Sequence, residues 1–352
     1  MTLAWPTWSA GTRRSPKQPG NFSRVQRGQA PWIRSARADT GLALAWVPFA
    51  AAAFWFRGDG RQLVLLLEAM FAFSFVHQPL TLTLVYGDAA QFATRRRLFV
   101  AGPIVLASAI ALGLTISFTL VAVIGALWNM EHTLMQRYGF VRIYGRRSGE
   151  DDGRLERTLM LLWLATTLLA IAADARTPTR VASLQLGEVN SSAIDVLTSL
   201  RPYAAVVLVP VAIAAAVLTA RWLVIERTRL RSGTGNRAKQ RYVVSTAAMF
   251  AFAVLVDPVA GLAGFAGAHA VEYFFIVDHR LATTRPEVSR WQFFVGYLVA
   301  FEIFYVVARQ YDEFYLWVVL FLGAVHFLFD GVIWKTRSRA PTPQPIVANA
   351  SA

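Results

Sequence analysis

Cysteine is absent from this chain of 352 residues, and charged residues make up only 16% of it. Without cysteine, the chain has no disulfides, thiolate metal ligands, iron–sulfur clusters or cysteine nucleophiles. About a quarter of an ordinary soluble domain is charged, so the low fraction here favours a membrane protein, as does a hydrophobic content of 55%. Any metal must therefore be held by histidine, aspartate or glutamate.

Acidic residues are missing from residues 1–38, which carry seven basic residues among serine, proline and glycine. We expect a disordered cytoplasmic tail, although a mitochondrial or plastid transit peptide has the same composition and stays open. The stretch lacks the apolar core of a secretory signal. Residues 39–336 are expected to form one transmembrane helical domain, and residues 337–352 a second disordered cytoplasmic tail.

Apolar runs close to the length that crosses a bilayer recur along the rest of the chain. They predict an all-α, polytopic transmembrane helix bundle of about ten helices, near residues 41–57, 62–86, 98–115, 117–137, 158–174, 202–225, 242–257, 259–278, 291–309 and 315–334. A hairpin is expected near Gly113, and Asp257–Pro258 should break the run from residue 242 to residue 279.

The basic residues collect in alternate connecting segments, which is the positive-inside pattern. Ten spans with both termini in the cytoplasm place 29 of the 35 Lys and Arg residues inside. The formal net charge of +14 is thus explained by membrane topology and does not call for a nucleic-acid partner. We expect a multi-pass protein of a bacterial plasma membrane, with membrane lipids as its surroundings.

Four of the five histidines fall within predicted spans, namely His77, His132, His269 and His326. All four spans run in the same direction in this topology, so sequence position reports depth. Three of these histidines lie roughly 14 Å, and His132 roughly 8 Å, below the cytoplasmic surface, at 1.5 Å per residue. Four helices can therefore bring imidazoles into one layer of the bilayer.

Carboxylates accompany the histidines at helical spacing. Glu272 follows His269 by three residues, and Asp330 follows His326 by four, so each pair shares a helix face. Neutral imidazole with carboxylate and no thiolate suits non-haem iron or zinc better than magnesium or calcium. We take Glu272, Asp330 and Tyr273 as candidate catalytic residues, the carboxylates as further ligands or orienting groups and Tyr273 as a proton donor.

Purely structural roles also explain several of these residues when each is taken alone. A lone transmembrane histidine commonly forms a hydrogen bond between helices, and His279, between Asp278 and Arg280, fits a surface position. The basic and aromatic segment 136–147 fits anchoring at the cytoplasmic surface, with an anionic head-group or acyl-carrier contact as its functional alternative. The small residues Ala260, Gly264 and Ala268 predict a close helix contact.

The segments FVHQP, MEHTLMQ, GAHAVEY and AVHFLFDGVIWK put single histidines on separate spans. In this the chain resembles the membrane non-haem iron oxygenases of the Brp/Blh carotene dioxygenase type, over about 260 residues. The resemblance implies iron bound by His77, His132, His269 and His326 and oxidative attack on a long polyene. The HxxxH and HxxHH boxes of membrane fatty-acid desaturases are absent.

The leading hypothesis is a metal-dependent oxygenase, hydroxylase or desaturase that acts on a lipid or terpenoid substrate and draws on an electron donor. Iron is the expected metal, with zinc or haem as alternatives. A proton-coupled transporter could use the same histidine and carboxylate pairs as relays. A haem or quinone redox protein and a scaffold with merely packed polar residues are further alternatives.

Overall fold

The computed structural model describes residues 32–150, 152–182, 188–284, 287–308, 310 and 312–333, and within these ranges it contains helices and no strand. The helices are α1 Ala36–Ala43, α2 Trp46–Trp55, α3 Gly60–His77, α4 Leu80–Tyr86, α5 Ala89–Thr94, α6 Arg96–Ile116, α7 Phe118–Arg147, α8 Arg154–Ala173, α9 Thr177–Ala182, α10 Glu188–Arg231, α11 Arg237–Leu255, α12 Pro258–Thr284, α13 Arg290–Ala308 and α14 Asp312–Ile333. The all-α prediction is confirmed for the described residues.

Each of the ten segments predicted from the sequence overlaps a helix or a bent pair of helices. Seven helical segments are long and apolar enough to cross a membrane, and α1 with α2 adds an eighth if this pair, bent by 40°, counts as one span. The chain is therefore a helical membrane protein by length and composition. Ten crossings and cytoplasmic termini stay predictions, and most of the two predicted tails lies outside the described residues.

The predicted breaks occur where local chemistry ends a helix. Ser117 is extended between α6 and α7, and its hydroxyl accepts the Leu120 amide proton, which caps α7 close to the hairpin expected near Gly113. Asp257 separates α11 from α12, and its carboxylate accepts the Ala260 amide proton. Each turn reverses the chain, so that consecutive helices pack beside each other.

Helix α12 occupies the centre of the bundle and is the most buried of the seven long apolar segments. It packs against α2, α3, α7, α11 and α13. A side-chain carbon on Gly264 would lie 2.9 Å from the Trp46 carbonyl oxygen, so the predicted close contact of this small-residue face is confirmed, with α2 as the partner. This central position carries the residues of α12 into the middle of the protein.

Candidate functional site

Four histidines meet in the interior from four different helices. His77 ends α3, His132 lies on α7, His269 on α12 and His326 on α14, and all four side chains are buried. The turn at Gln78–Pro79 follows His77 directly and divides the predicted segment 62–86 into α3 and α4. The prediction that these four helices bring their imidazoles together is therefore confirmed, although His132 was expected nearer the cytoplasmic surface than the other three.

The ring nitrogens of the cluster face each other in two pairs. Nε2 of His77 lies 3.1 Å from Nε2 of His269, and Nε2 of His132 lies 3.1 Å from Nε2 of His326. The pairs adjoin, because the ring centroids of His77 and His326 are 4.9 Å apart and those of His132 and His269 are 5.2 Å apart. The four rings therefore surround one small volume.

Two nitrogens of the cluster lack a hydrogen-bond partner among the described residues, although both are fully buried. They are Nδ1 of His77 and Nδ1 of His269. Buried polar atoms are nearly always paired, and an unpaired one calls for an explanation such as an ion or a functional role. Because Nδ1 lies across the ring from Nε2, a cation bound at the Nε2 atoms would not pair with these two nitrogens, and the case for a metal depends on the spacing of the Nε2 atoms.

Asp330 brings a carboxylate to the same place. Its Oδ2 lies 3.9 Å from Nε2 of His132 and 3.9 Å from Nε2 of His326. By distance, His77, His269 and His326 form one group that could hold a metal ion, and His132, His326 and Asp330 form another. Both groups share His326, so they adjoin, and together they form the candidate metal centre.

Tyr273 and Thr81 complete the polar surroundings of Asp330. The Tyr273 ring lies 5.2 Å from that of His77 and 5.0 Å from that of His326, and its hydroxyl oxygen is 3.1 Å from Oδ1 of Asp330. Thr81, on α4, lies 2.6 Å from Nδ1 of His326. Sequence reasoning missed Thr81, although it stands four residues after His77 and so shares its helix face.

Glu272, which the sequence offered as a further ligand or an orienting group, faces Arg137. Its carboxylate is 2.5 Å from Nη1 of Arg137 and accepts a second hydrogen bond from Gln136 at 3.3 Å. Glu272 belongs to neither of the groups that could hold a metal. The structure therefore brings Asp330 and Tyr273 to the histidines, while Glu272 lies one helical turn away against a guanidinium group.

Arg137 is fully buried, whereas its place in the basic and aromatic segment 136–147 predicts anchoring at the cytoplasmic surface. Its guanidinium group also donates to Oγ1 of Thr246 at 3.0 Å and to the Ala43 carbonyl oxygen at 3.1 Å. It thus links α7 to α1, α11 and α12. The anchoring interpretation is wrong for Arg137, because a cation with these partners can be desolvated inside the bundle.

A cluster of three glutamates lies apart from the histidines, near the ends of α8, α10 and α11. It contains Glu150, Glu156 and Glu226, which could hold a metal by distance alone. The Lys239 ammonium group, however, lies 2.5–3.1 Å from all three carboxylates. Burial would lower the Lys239 pKa, but the hydrogen-bonded carboxylates outweigh this effect and the pKa is raised. The Lys239 ammonium group therefore occupies the position between the carboxylates that a metal ion would take.

Comparison with protein-family models, curated proteins and solved structures gives no match for this chain. The chemistry of the site must therefore be argued from its own residues. Within the described part of the chain, the histidine cluster and Asp330 offer nitrogen and carboxylate donors at ligand spacing in a buried setting. The arrangement can bind a transition-metal ion, and Tyr273 can hold a proton beside it.

Proposed function

We propose that this protein is a metal-dependent membrane oxidoreductase with a non-haem iron held by His77, His132, His269 and His326. The observation that supports the proposal most is the pairing of Nε2 atoms at 3.1 Å within one buried cluster. Metal–imidazole bonds of about 2.1 Å place two ligand nitrogens about 3 Å apart when the bonds meet at a right angle, and about 3.4 Å apart at the tetrahedral angle. The same pairs would be single N–H···N hydrogen bonds in a purely structural cluster.

The types of ligand atom at the site favour some metal ions over others. Imidazole with a carboxylate and no thiolate suits iron or zinc, and iron bound there would supply redox chemistry toward a small oxidant. Ring centroids in the cluster lie 4.6–6.0 Å apart, and such close packing favours a compact ion over a porphyrin. Asp330 would neutralise part of the charge of the ion, which lowers the cost of holding it inside the bundle.

The exposure of the four histidines favours one side of the proposed metal site for the approach of a substrate. His132 is the most exposed of the four histidines, at 9%, whereas the others are 2% exposed or less. Phe327 packs on its ring at 4.7 Å, and Trp128, which is 37% exposed, packs on Phe327. This apolar approach suits a lipophilic substrate that arrives from the membrane beside His132, with Tyr273, next to His77 and His326, as the proton donor.

The resemblance to carotene dioxygenases makes a long polyene the first substrate class to assay, with dioxygen as the oxidant. Other lipids and terpenoids follow, with and without a reducing electron donor. Chemical change of such a substrate by the purified protein is the activity that we expect.

The test of the proposal starts with elemental analysis and an absorption spectrum of detergent-purified protein. We expect near-stoichiometric iron in the natural sequence and in His279→Ala, because His279 belongs to neither of the groups that could hold a metal. His269→Ala and His326→Ala should lose the metal and turnover. Full metal content in both of these variants would refute the ligand assignment, and a Soret band would point to haem instead.

A proton-coupled carrier is the second candidate, and one feature favours it. The span Gly60–Tyr86 contains a turn at Gln78–Pro79, directly beside His77, and irregular helix turns at mid-membrane sites are typical of secondary transporters. In that case liposomes containing the protein would show substrate flux without chemical change. Metal-free protein with such flux would replace the oxidoreductase proposal.

A further inference from the structure

Thr81 makes three polar contacts beside the histidine cluster, and the metal proposal gives this side chain no role. Its hydroxyl oxygen lies 2.6 Å from Nδ1 of His326, 2.6 Å from the Tyr273 hydroxyl oxygen and 3.0 Å from Oδ1 of Asp330. The side chain is fully buried on the first turn of α4. Three partners at these distances exhaust the hydrogen-bonding capacity of one hydroxyl group, which has one proton and two lone pairs.

The identity of the partners decides where the protons lie. A carboxylate oxygen only accepts hydrogen bonds, so the Thr81 hydroxyl donates to Asp330. The Thr81 oxygen must then accept from Nδ1 of His326, which therefore carries the hydrogen. The Nε2 atom of this tautomer keeps a free lone pair, and it is Nε2 that faces His132 at 3.1 Å.

The same hydroxyl group fixes the direction of the carboxylate. Tyr273 has one hydroxyl proton, which the closer Thr81 oxygen accepts at 2.6 Å, so Oδ1 of Asp330 accepts from Thr81. The other oxygen, Oδ2, faces Nε2 of His132 and of His326. The Pro79 turn places Thr81 at this point, since α4 begins immediately after it. Thr83, two residues further on, is exposed and its hydroxyl donates only to the Leu80 carbonyl oxygen of its own helix.

We propose that Thr81 is a positioning residue of the metal centre, which holds the Nδ1–H tautomer of His326 and aims Oδ2 of Asp330 at the same cation. The inference rests on the proposed metal site and adds to it. Groups that orient ligating imidazoles and carboxylates in this way commonly change metal affinity or activity by about 10–100-fold when they are removed. Thr81 would thus act on the ion through His326 and Asp330 without touching it.

The experiment compares Thr81→Val, which keeps the shape and removes the hydroxyl group, with Thr81→Ser, which keeps the hydroxyl group. Thr83→Val is the matched control on the same helix. Each full-length protein is stripped of metal, loaded with Co(II) and titrated with a competing chelator, and its ligand-field absorption spectrum is recorded. Thr81→Ala replaces Thr81→Val if the latter does not survive detergent extraction.

We expect Thr81→Val to bind Co(II) about 10–100-fold more weakly and with an altered spectrum. Thr81→Ser and Thr83→Val should keep the natural affinity and spectrum. Natural affinity and spectrum in Thr81→Val would overturn the role of Thr81 and leave the metal site intact. Failure of the unaltered protein to bind Co(II) or iron would overturn both the metal site and the role of Thr81.

Discussion

The ion pair between Arg137 and Glu272 offers the sharpest test of the energetics of this bundle. Both side chains are fully buried, and the nitrogen and oxygen lie 2.5 Å apart. Replacing Glu272 by leucine removes the acidic partner that the guanidinium group has among the described residues. It leaves the group with the Thr246 hydroxyl, the Ala43 carbonyl oxygen and the Tyr242 ring. The variant Glu272→Leu therefore buries an uncompensated charge.

Breaking a buried ion pair from one side costs about 3–5 kcal/mol, which corresponds to an unfolding equilibrium shifted on the order of a hundredfold to a few thousandfold. We expect Glu272→Leu and Arg137→Met each to lose stability of this order. The double variant Arg137→Met with Glu272→Leu removes both charges and should be close to the natural protein, because apolar replacements of a buried pair are often neutral or stabilising.

Reversible unfolding in mixed micelles, titrated with sodium dodecyl sulfate and followed by circular dichroism, gives the four free energies of a double-mutant cycle. The exposed pair of Asp174 and Arg176 is the matched control, and Asp174→Asn should change the unfolding midpoint little. Single variants with natural stability would refute the reasoning, as would a double variant that loses the sum of the two single losses.

Two further outcomes follow from the same packing and charge arguments. Lys239→Met should lose about 3 kcal/mol in the same unfolding titration, because it leaves Glu156 without its cation and leaves Glu150 and Glu226 with Arg229 as their remaining cation. A loss under about 1 kcal/mol would contradict a central role for Lys239. Gly261→Ala should lower the free energy of unfolding by about 1–3 kcal/mol, since its new carbon would lie 2.5 Å from the Ala253 Cα. Gly296→Ala, which has nothing within 4 Å of the new carbon, should leave stability unchanged or raise it by up to about 1 kcal/mol. Equal effects of the two substitutions would contradict the packing of α11 on α12.

The apolar runs were enough to predict an all-α membrane protein, because a helix satisfies its own backbone and its length is set by the bilayer. The breaks near Gly113 and at Asp257–Pro258 were also predictable, since proline, serine and aspartate act on the chain within one turn. Counting residues from the predicted cytoplasmic ends of the four spans gave the four histidines comparable depths in the bilayer. These features are local, and local chemistry is what a single sequence records.

Rotation of each helix about its axis was decided only by tertiary packing. Glu272 and Asp330 each follow a histidine by about one helical turn, yet Glu272 faces Arg137 and Asp330 faces the histidines. Sequence position could not distinguish them, because the difference lies in which neighbouring helix packs against each carboxylate. The burial of Arg137 and the role of Thr81 depend on partners 94 to 249 residues away along the chain. Contacts of that separation arise when the helices pack, and no periodicity within one helix encodes them.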